Sequence, residues 1–226
     1  MKSELKIQRL DVLQDISPEQ WALHCPSLEI VKLSDRMRIY QQGEQCRHVF
    51  CIHEGHVKLT RVNNEGGQLI TAILTPGEIF GPTLTGAHTA ADESALAKGE
   101  LQLYRISAED FRSLMNSQPA LGWKVIEMLG RRQRFLELRL ECLLSQDVRA
   151  RIAGVLYQMA RDSGEKCQHG LEVDVRLTHQ ELAELVGAGR PTVSTILSEL
   201  REQGIVAYGR DFICISRLED LKRIFE

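Results

Sequence analysis

From Leu177 to Ile205 the chain reads LTHQELAELVGAGRPTVSTILSELREQGI, and this stretch leaves its backbone little choice. Thr178 followed three residues later by Glu181 is a capping box, in which each side chain bonds the other residue's backbone N–H. Leu182, Ala183, Leu185 and Val186 then repeat at helical spacing, and Gly187-Ala188-Gly189 breaks the run. Pro191 suits the first turn of a second helix, whose inward face is Val193, Ile196, Leu197 and Leu200 and whose stop is Gly204. Ala183 is small where the two helices cross, and Gly187 has the backbone freedom that a tight turn requires. Two short helices joined in this way can present the second one to the major groove of DNA. The solvent face of that second helix carries Arg190, Thr192, Ser194, Thr195, Ser198 and Arg201, while Thr178 and His179 start the first helix. Arginine matches the O6 and N7 acceptors of guanine, and Ser and Thr suit phosphates or less specific base edges, so Arg190 is the expected base reader. Ile205 to Ile215 reads as a β-hairpin, the wing of a winged helix. A winged helix used for protein contacts is the alternative.

Upstream of this region the pattern changes twice. Between about residues 28 and 106, short Val-, Ile- and Leu-rich segments such as Val57 to Val62 and Leu69 to Leu74 alternate with turns at Gln42-Gly43, Glu54-Gly55, Glu65-Gly66-Gly67 and Pro76-Gly77-Glu78. Regular short strands with turn signals indicate an antiparallel sandwich or jelly roll. Ser17 is read as the cap of an earlier helix and Ser107 as the cap of a later one. A long helix then spans about Pro119 to Leu144. Within it Ile126, Leu129, Gln133, Leu136, Leu140 and Leu143 follow 3-4-3-4-3 spacing, which holds them on one narrow seam at coiled-coil period. Arg131, Arg132, Arg134, Glu137, Arg139 and Glu141 flank the stripe, so a homodimer seam is expected. Asp147 caps the next helix. The expected chain is α+β: a β-roll over 1–118, a dimerisation helix over 119–146, and a winged helix-turn-helix over 147–226.

Bulk properties restrict the partners. The net charge is −3, and residues 147–226 hold 11 Lys and Arg against 13 Asp and Glu, so any DNA contact must rest on a local patch. No apolar run is long enough to span a membrane, and MKSELKIQRL has no signal-peptide core. A cytoplasmic protein whose six cysteines are reduced thiols is expected. No constellation of nucleophile, base and orienting group is legible, and the reading is therefore of a protein that is not an enzyme.

One further cluster stands out. Cys46 to His56, CRHVFCIHEGH, gathers two of the six cysteines and three of the seven histidines. If Glu54-Gly55 is a two-residue hairpin turn, His53 faces His56 and Cys51 faces Lys58. Phe50, Ile52, Val57 and Leu59 then take the core face, leaving Cys51, His53, His56 and Lys58 on the outer one. Cys51, His53 and His56 are thus an incomplete ligand set for a metal or haem, which His24, Cys25 or His88 would have to complete. An ordinary exposed cross-strand pair is the expectation, and a metal or haem site is the alternative.

The order of parts and the wording of VFCIHEGHVKLTRVNNEGGQLITAILTPGEIFG, DVRARIAGVLYQMARDSGE and LTHQELAELVGAGRPTVSTILSELREQGIV resemble the Crp/Fnr family of bacterial transcription regulators over nearly the whole chain. VKLTRVNNEGG and LTG look most similar to its nitrogen-control branch. The resemblance implies a homodimer that binds double-stranded DNA at a two-fold symmetric site, works with RNA polymerase, and responds to a small-molecule effector in the β-roll. An effector pocket would then involve Gly81, Pro82, Thr83, Ala91, Asp92, Arg132 and Leu136. Cyclic-AMP receptors of the family place an Arg-Ser pair where this chain has Ala91-Asp92-Glu93, and residues 81–104 contain no arginine. Two carboxylates would repel a cyclic phosphate, so cyclic AMP is not the expected effector. The same missing arginine counts against 2-oxoglutarate, the ligand of the nitrogen-control branch. Cys25, Cys46, Cys51 and Cys142 lack the spacing of the oxygen-sensing branch, and an iron–sulfur cluster is not expected either. The effector remains open, and a metal- or haem-binding redox sensor of the same fold using Cys51, His53 and His56 is the alternative.

Overall fold

The structure, a computed structural model, describes residues 16, 18–62, 66–82, 90–173, 175–209 and 212–226. It divides into two compact units, one running to Arg131 and the other covering Arg132–Glu226. Among the described residues no helix is long and apolar enough to cross a membrane.

In the first unit, α1 (Pro18–His24) precedes β1 (Glu29–Leu33), β2 (Arg38–Tyr40), β3 (His48–Val62), β4 (Gln68–Leu74), β5 (Ile79–Phe80) and β6 (Ser94–Ser107). All pairings are antiparallel, in the order β1-β6-β3-β4, with β2 on β6 and β5 on β3. One core lies inside the sandwich, where Tyr40, Phe50, Ile52, Val57, Leu59, Leu74, Phe80 and Leu103 meet. A second core lies on the outer side of β3 and β6. There Val49, Cys51, Ile79 and Ile106 pack with Phe111 and Leu114 of α2 (Ala108–Ser117) and with Leu121, Val125 and Met128 of α3 (Pro119–Ser145). Ser107 caps α2 as expected, accepting from the Asp110 N–H at 3.1 Å. The expected cap of α1, Ser17, lies outside the described residues.

Glu54-Gly55 is not a hairpin turn, which is the main correction to the sequence reading. β3 runs straight through both residues, paired to the 14-residue β6, with register shifts on either side of Glu54. Gly55 has φ +85°, and a Cβ there would lie 2.1 Å from the Glu100 carbonyl oxygen. The glycine serves a β-bulge, which reverses the strand's in-out alternation. Phe50, Ile52, Val57 and Leu59 therefore do share the inner face, but through a bulge and not a turn.

The second unit begins within α3 and continues through α4 (Val148–Ser163), β7 (Gly164–Cys167), β8 (Gly170–Val173), α5 (His179–Val186), α6 (Arg190–Glu202), β9 (Val206–Tyr208), β10 (Ile213–Ile215) and α7 (Leu218–Phe225). Asp147 caps α4, accepting from the Ala150 N–H at 2.8 Å. The expected wing is present as β9 and β10, but within a four-stranded sheet of order β7-β8-β10-β9. Cys25, Cys46, Cys51 and Cys142 are free thiols. Cys167 and Cys214, also expected to be free, are instead joined as a disulfide between β7 and β10.

Candidate nucleic-acid interface

The helix pair is built as its residues require. Thr178 accepts from the Glu181 N–H at 3.1 Å, and the Glu181 carboxylate accepts the Thr178 N–H at 3.0 Å, closing the capping box. Leu182, Ala183, Leu185 and Val186 of α5 are buried, as are Val193, Leu197 and Leu200 of α6. Gly187 closes α5 in the left-handed conformation, φ 64° and ψ 49°, where a side chain would be strained. Pro191 lies in the first turn of α6, whose Gly189 cap supplies no side-chain bond to the leading N–H groups. Those donors sit at the positive end of the helix dipole, beside Arg190.

The residues expected on the reading face separate into two groups. Arg190, Thr192 and Thr195 are exposed. Ser194, Ser198 and Arg201, with His179, instead converge on the wing. His179 Nδ1 lies 2.8 Å from Ser194 Oγ. The His179 ring meets Tyr208 edge-on at 5.5 Å, Ser198 Oγ lies 3.2 Å from the Tyr208 hydroxyl, and the Arg201 guanidinium covers the Tyr208 ring at 4.8 Å. The cation–π contact and the Ser198–Tyr208 hydrogen bond fix β9 against α6, and the His179–Ser194 bond ties α5 to α6, so these side chains orient the reading surface as well as bordering it. Burial, and then the charge of Arg190, hold the His179 pKa below the ordinary imidazole value. Thr178 is committed to its cap.

Two further arginines support the turn between the helices, and the sequence reading assigned them no such role. Arg139 was read as a polar flank of the α3 seam, yet it is only 9% exposed. Its guanidinium donates to the Leu185 carbonyl at 2.6 Å, and burial lowers its pKa. Arg151 of α4 donates to the Gly187 carbonyl at 3.4 Å. Both cations occupy the carbonyl end of α5, where positive charge is favoured. At the far end of α6, Arg149 holds Glu199 at 2.6 Å and Gln203 at 2.7 Å.

The expected seam residues on α3 present an open apolar stripe. Ile126, Gln133, Leu136, Leu140 and Leu143 are exposed and Leu129 is half-buried. Leu140 keeps 57% of its surface.

The proposed effector residues are less coherent. Gly81, with φ +138°, passes so close to β3 that a Cβ would lie 2.6 Å from the His48 carbonyl oxygen. Pro82 is buried and Ala91 lies in the sandwich core. Asp92 is exposed, with Arg61 4.0 Å away, and Thr71 donates to Glu93 at 3.0 Å. A cyclic phosphate placed along 91–93 would meet carboxylates, and Arg61, the nearby cation, already faces Asp92. Thr83 and His88 lie outside the described residues, and Arg132 and Leu136 belong to the second unit.

The Cys51, His53 and His56 set does not assemble. On a single strand, Cys51 and His56 are separated by five residues, on the order of 15 Å. Cys51 is also 2% exposed beneath α2 and α3. His53 packs on Tyr104 at 5.4 Å.

Comparison with known proteins agrees with this architecture. Residues 30–118 match the cyclic nucleotide-binding domain, and residues 150–224 match the Crp-like helix-turn-helix domain. The chain is 29% identical over 189 residues to a "Global nitrogen regulator" of Nostoc sp., an alignment covering 83% of this chain and 85% of that protein. It is 31% identical over 171 residues to the "Cyclic AMP receptor protein" of Thermus thermophilus, covering 76% of each. Among solved structures, a CooA mutant from Carboxydothermus hydrogenoformans superposes with TM-score 0.78 at 23% identity, covering 97% of this chain and 96% of that one. FixK2 from Bradyrhizobium japonicum superposes with TM-score 0.75 at 19% identity, covering 88% and 98% respectively. A cyclic nucleotide-binding-type β-roll followed by a winged helix-turn-helix defines a class of DNA-binding regulators. This chain belongs to the Crp/Fnr family of transcription regulators.

Proposed function

We propose that the chain acts as a homodimer, reads a two-fold symmetric DNA site through α6, and is not gated by cyclic AMP. The observation that carries this reading is the exposed set Arg190, Thr192 and Thr195 on an α6 whose inner face is packed and whose outer end is locked to β9. Arg190 stands in the first turn, where a recognition helix meets base edges; Thr195 and Thr192 suit adjoining edges or phosphates. The exposed Ile126, Leu136, Leu140 and Leu143 on this stripe support pairing with a second copy, since apolar residues left uncovered at 3-4 spacing are stabilised by an identical seam. Ser194, Ser198, Arg201, Thr178 and His179 belong to the same DNA surface, as orienting groups and phosphate neighbours. In this reading the chain regulates transcription without catalysing a reaction, and output passes to RNA polymerase at the promoter.

The relatives' names include a cyclic-AMP receptor and nitrogen regulators. The carboxylates at Asp92 and Glu93 support a different effector, or none, in this chain. The test is DNA binding by the full-length protein with and without added cyclic AMP. Affinity for the preferred site is expected to be unchanged by the nucleotide and to fall steeply with salt. Arg190→Ala is expected to lose about 1–3 kcal/mol, roughly 5- to 150-fold, on that site and little on unrelated DNA. An affinity that rises tenfold with cyclic AMP would refute the effector part, and an unchanged Arg190→Ala variant would refute the assignment of the reading residue.

A further inference from the structure

We propose that Cys167, His169 and Cys214 form a binding site for one thiophilic divalent cation, such as Zn2+, when the cysteine pair is reduced. Among the described residues these three are the one group of His, Cys or carboxylate side chains whose donor atoms all lie within 4.8 Å of one another. Cys167 and His169 flank Gln168 at the β7–β8 turn, and Cys214 is the middle residue of the wing strand β10. The site therefore joins two segments separated by 47 residues.

Strand register brings the two cysteines together. Cys167 pairs with Gly170 in register, while Glu172, two residues along β8, is opposite Cys214. The residue opposite Cys167 is thus a glycine, which adds no side chain beside that thiol. Gly170 also lets β8 pass close to β10, since a Cβ there would lie 2.1 Å from the Ile215 carbonyl oxygen. Register also places Glu165 and Glu172 on the face shared by Cys167 and Cys214, adding negative charge that favours a cation. Cα atoms 7.7 Å apart exceed the ~4.4–6.8 Å that a disulfide ordinarily spans. The same separation suits two thiolates on one zinc, since Zn–S bonds of about 2.3 Å at tetrahedral angles set the sulfurs roughly 3.8 Å apart. A His at about 2.0 Å completes three protein ligands, leaving the fourth position to water. Cys214 is 1% exposed, and a buried thiolate without a cation beside it is costly.

The chemistry balances with a phosphine as reductant. The phosphine attacks one sulfur and breaks the S–S bond, and water then delivers its oxygen to phosphorus and its two protons to the sulfurs, giving two thiols and a phosphine oxide. Binding of the divalent ion displaces those two thiol protons, so affinity rises with pH.

Full-length protein, reduced by a phosphine and kept anaerobic, is titrated with Co2+ as a spectroscopic probe and then with Zn2+ in competition with a chromogenic chelator. One ion per chain is expected, with the thiolate-to-cobalt charge-transfer band and tetrahedral d–d bands that Zn2+ then displaces. Cys167→Ser and Cys214→Ser should each abolish the charge-transfer signature. His169→Ala, at an exposed turn position where folding is not at issue, should weaken binding by about tenfold or more, because loss of even a supporting partner costs a metal site that much. Cys46→Ser serves as the control and should bind normally. Failure of the reduced chain to bind either ion at micromolar concentration, or binding that survives Cys167→Ser and His169→Ala, overturns the assignment. Neither result depends on DNA, so the test stands whether or not α6 reads a base sequence.

Discussion

Arg190 and His179 lie close enough on the second unit for the charge of one to depress the titration of the other. His179 is the better probe, because its neutral ring is what bonds Ser194 and packs on Tyr208. A folded-state pKa below the ordinary 6.5 means that the unfolded chain takes up the proton first as pH falls. The contribution to stability is therefore complete above pH 6.5 and is lost progressively below it. His48, also lowered by burial and then by Arg105, acts in the same direction in the first unit. Urea unfolding of the wild type and of His179→Gln, followed by a signal from the second unit, should converge as pH drops below 6.5. A gap between them that is constant with pH would show that His179 does not titrate in this way. Arg139 gives a different lesson at the same scale. Its place in the sequence is that of any charged flank of a helical stripe, and no local pattern announces the Leu185 carbonyl 46 residues away that it satisfies.

Among the elements, α5 and α6 were legible because everything that defines them is local: a capping box, a left-handed glycine, a proline in the first turn and a 3-4 apolar spacing. β3 was not, because a turn and a bulge both call for glycine with positive φ after a polar residue. Only the distant partner β6 decides between them. β7 and β8, GEKC and GLEV, are too short and mixed to show a period of two, so nothing local in the sequence signals the four-stranded sheet or its cysteine pair. Gly55→Ala tests the bulge. The left-handed backbone alone should cost about 1–2 kcal/mol, with the approach of Glu100 adding to it, and thermal unfolding of the first unit should fall accordingly. A neutral Gly55→Ala would mean that the strand can relax into regular pairing. On α3, Leu140→Lys tests the seam. Each protomer would lose the roughly 1.5–3 kcal/mol of a buried leucine, and sedimentation should show monomer with undiminished helicity. A dimer that persists at micromolar concentration would place the contact elsewhere.

For the whole molecule, the class of fold followed from the order of patterns: short strands with turns, a long narrow-striped helix, then a capped helix pair with a wing. What the sequence could not convey was contact at long range, and this is why the outer metal set at Cys51, His53 and His56 dissolved while Cys167, His169 and Cys214 came together. Part of the acidic balance of residues 147–226 is structural, since Glu181, Glu199 and Asp220 are engaged with Thr178, Arg149 and Arg217 within the second unit. Two of these carboxylates are held in ion pairs and one in a helix cap, while Arg190 at the first turn of α6 stays exposed as a local positive charge. The central claim is that a dimer reads a symmetric sequence through α6. It is tested most directly by incubating the full-length protein with a pool of random-sequence duplex DNA, recovering the bound fraction through several rounds, and sequencing it. The account predicts an inverted repeat whose half-sites lie about 10 base pairs apart centre to centre, or a multiple of that, with a base preference in each half that Arg190→Ala relaxes. A bound fraction with no enriched sequence, or an Arg190→Ala protein that selects the same repeat with equal affinity, would contradict it.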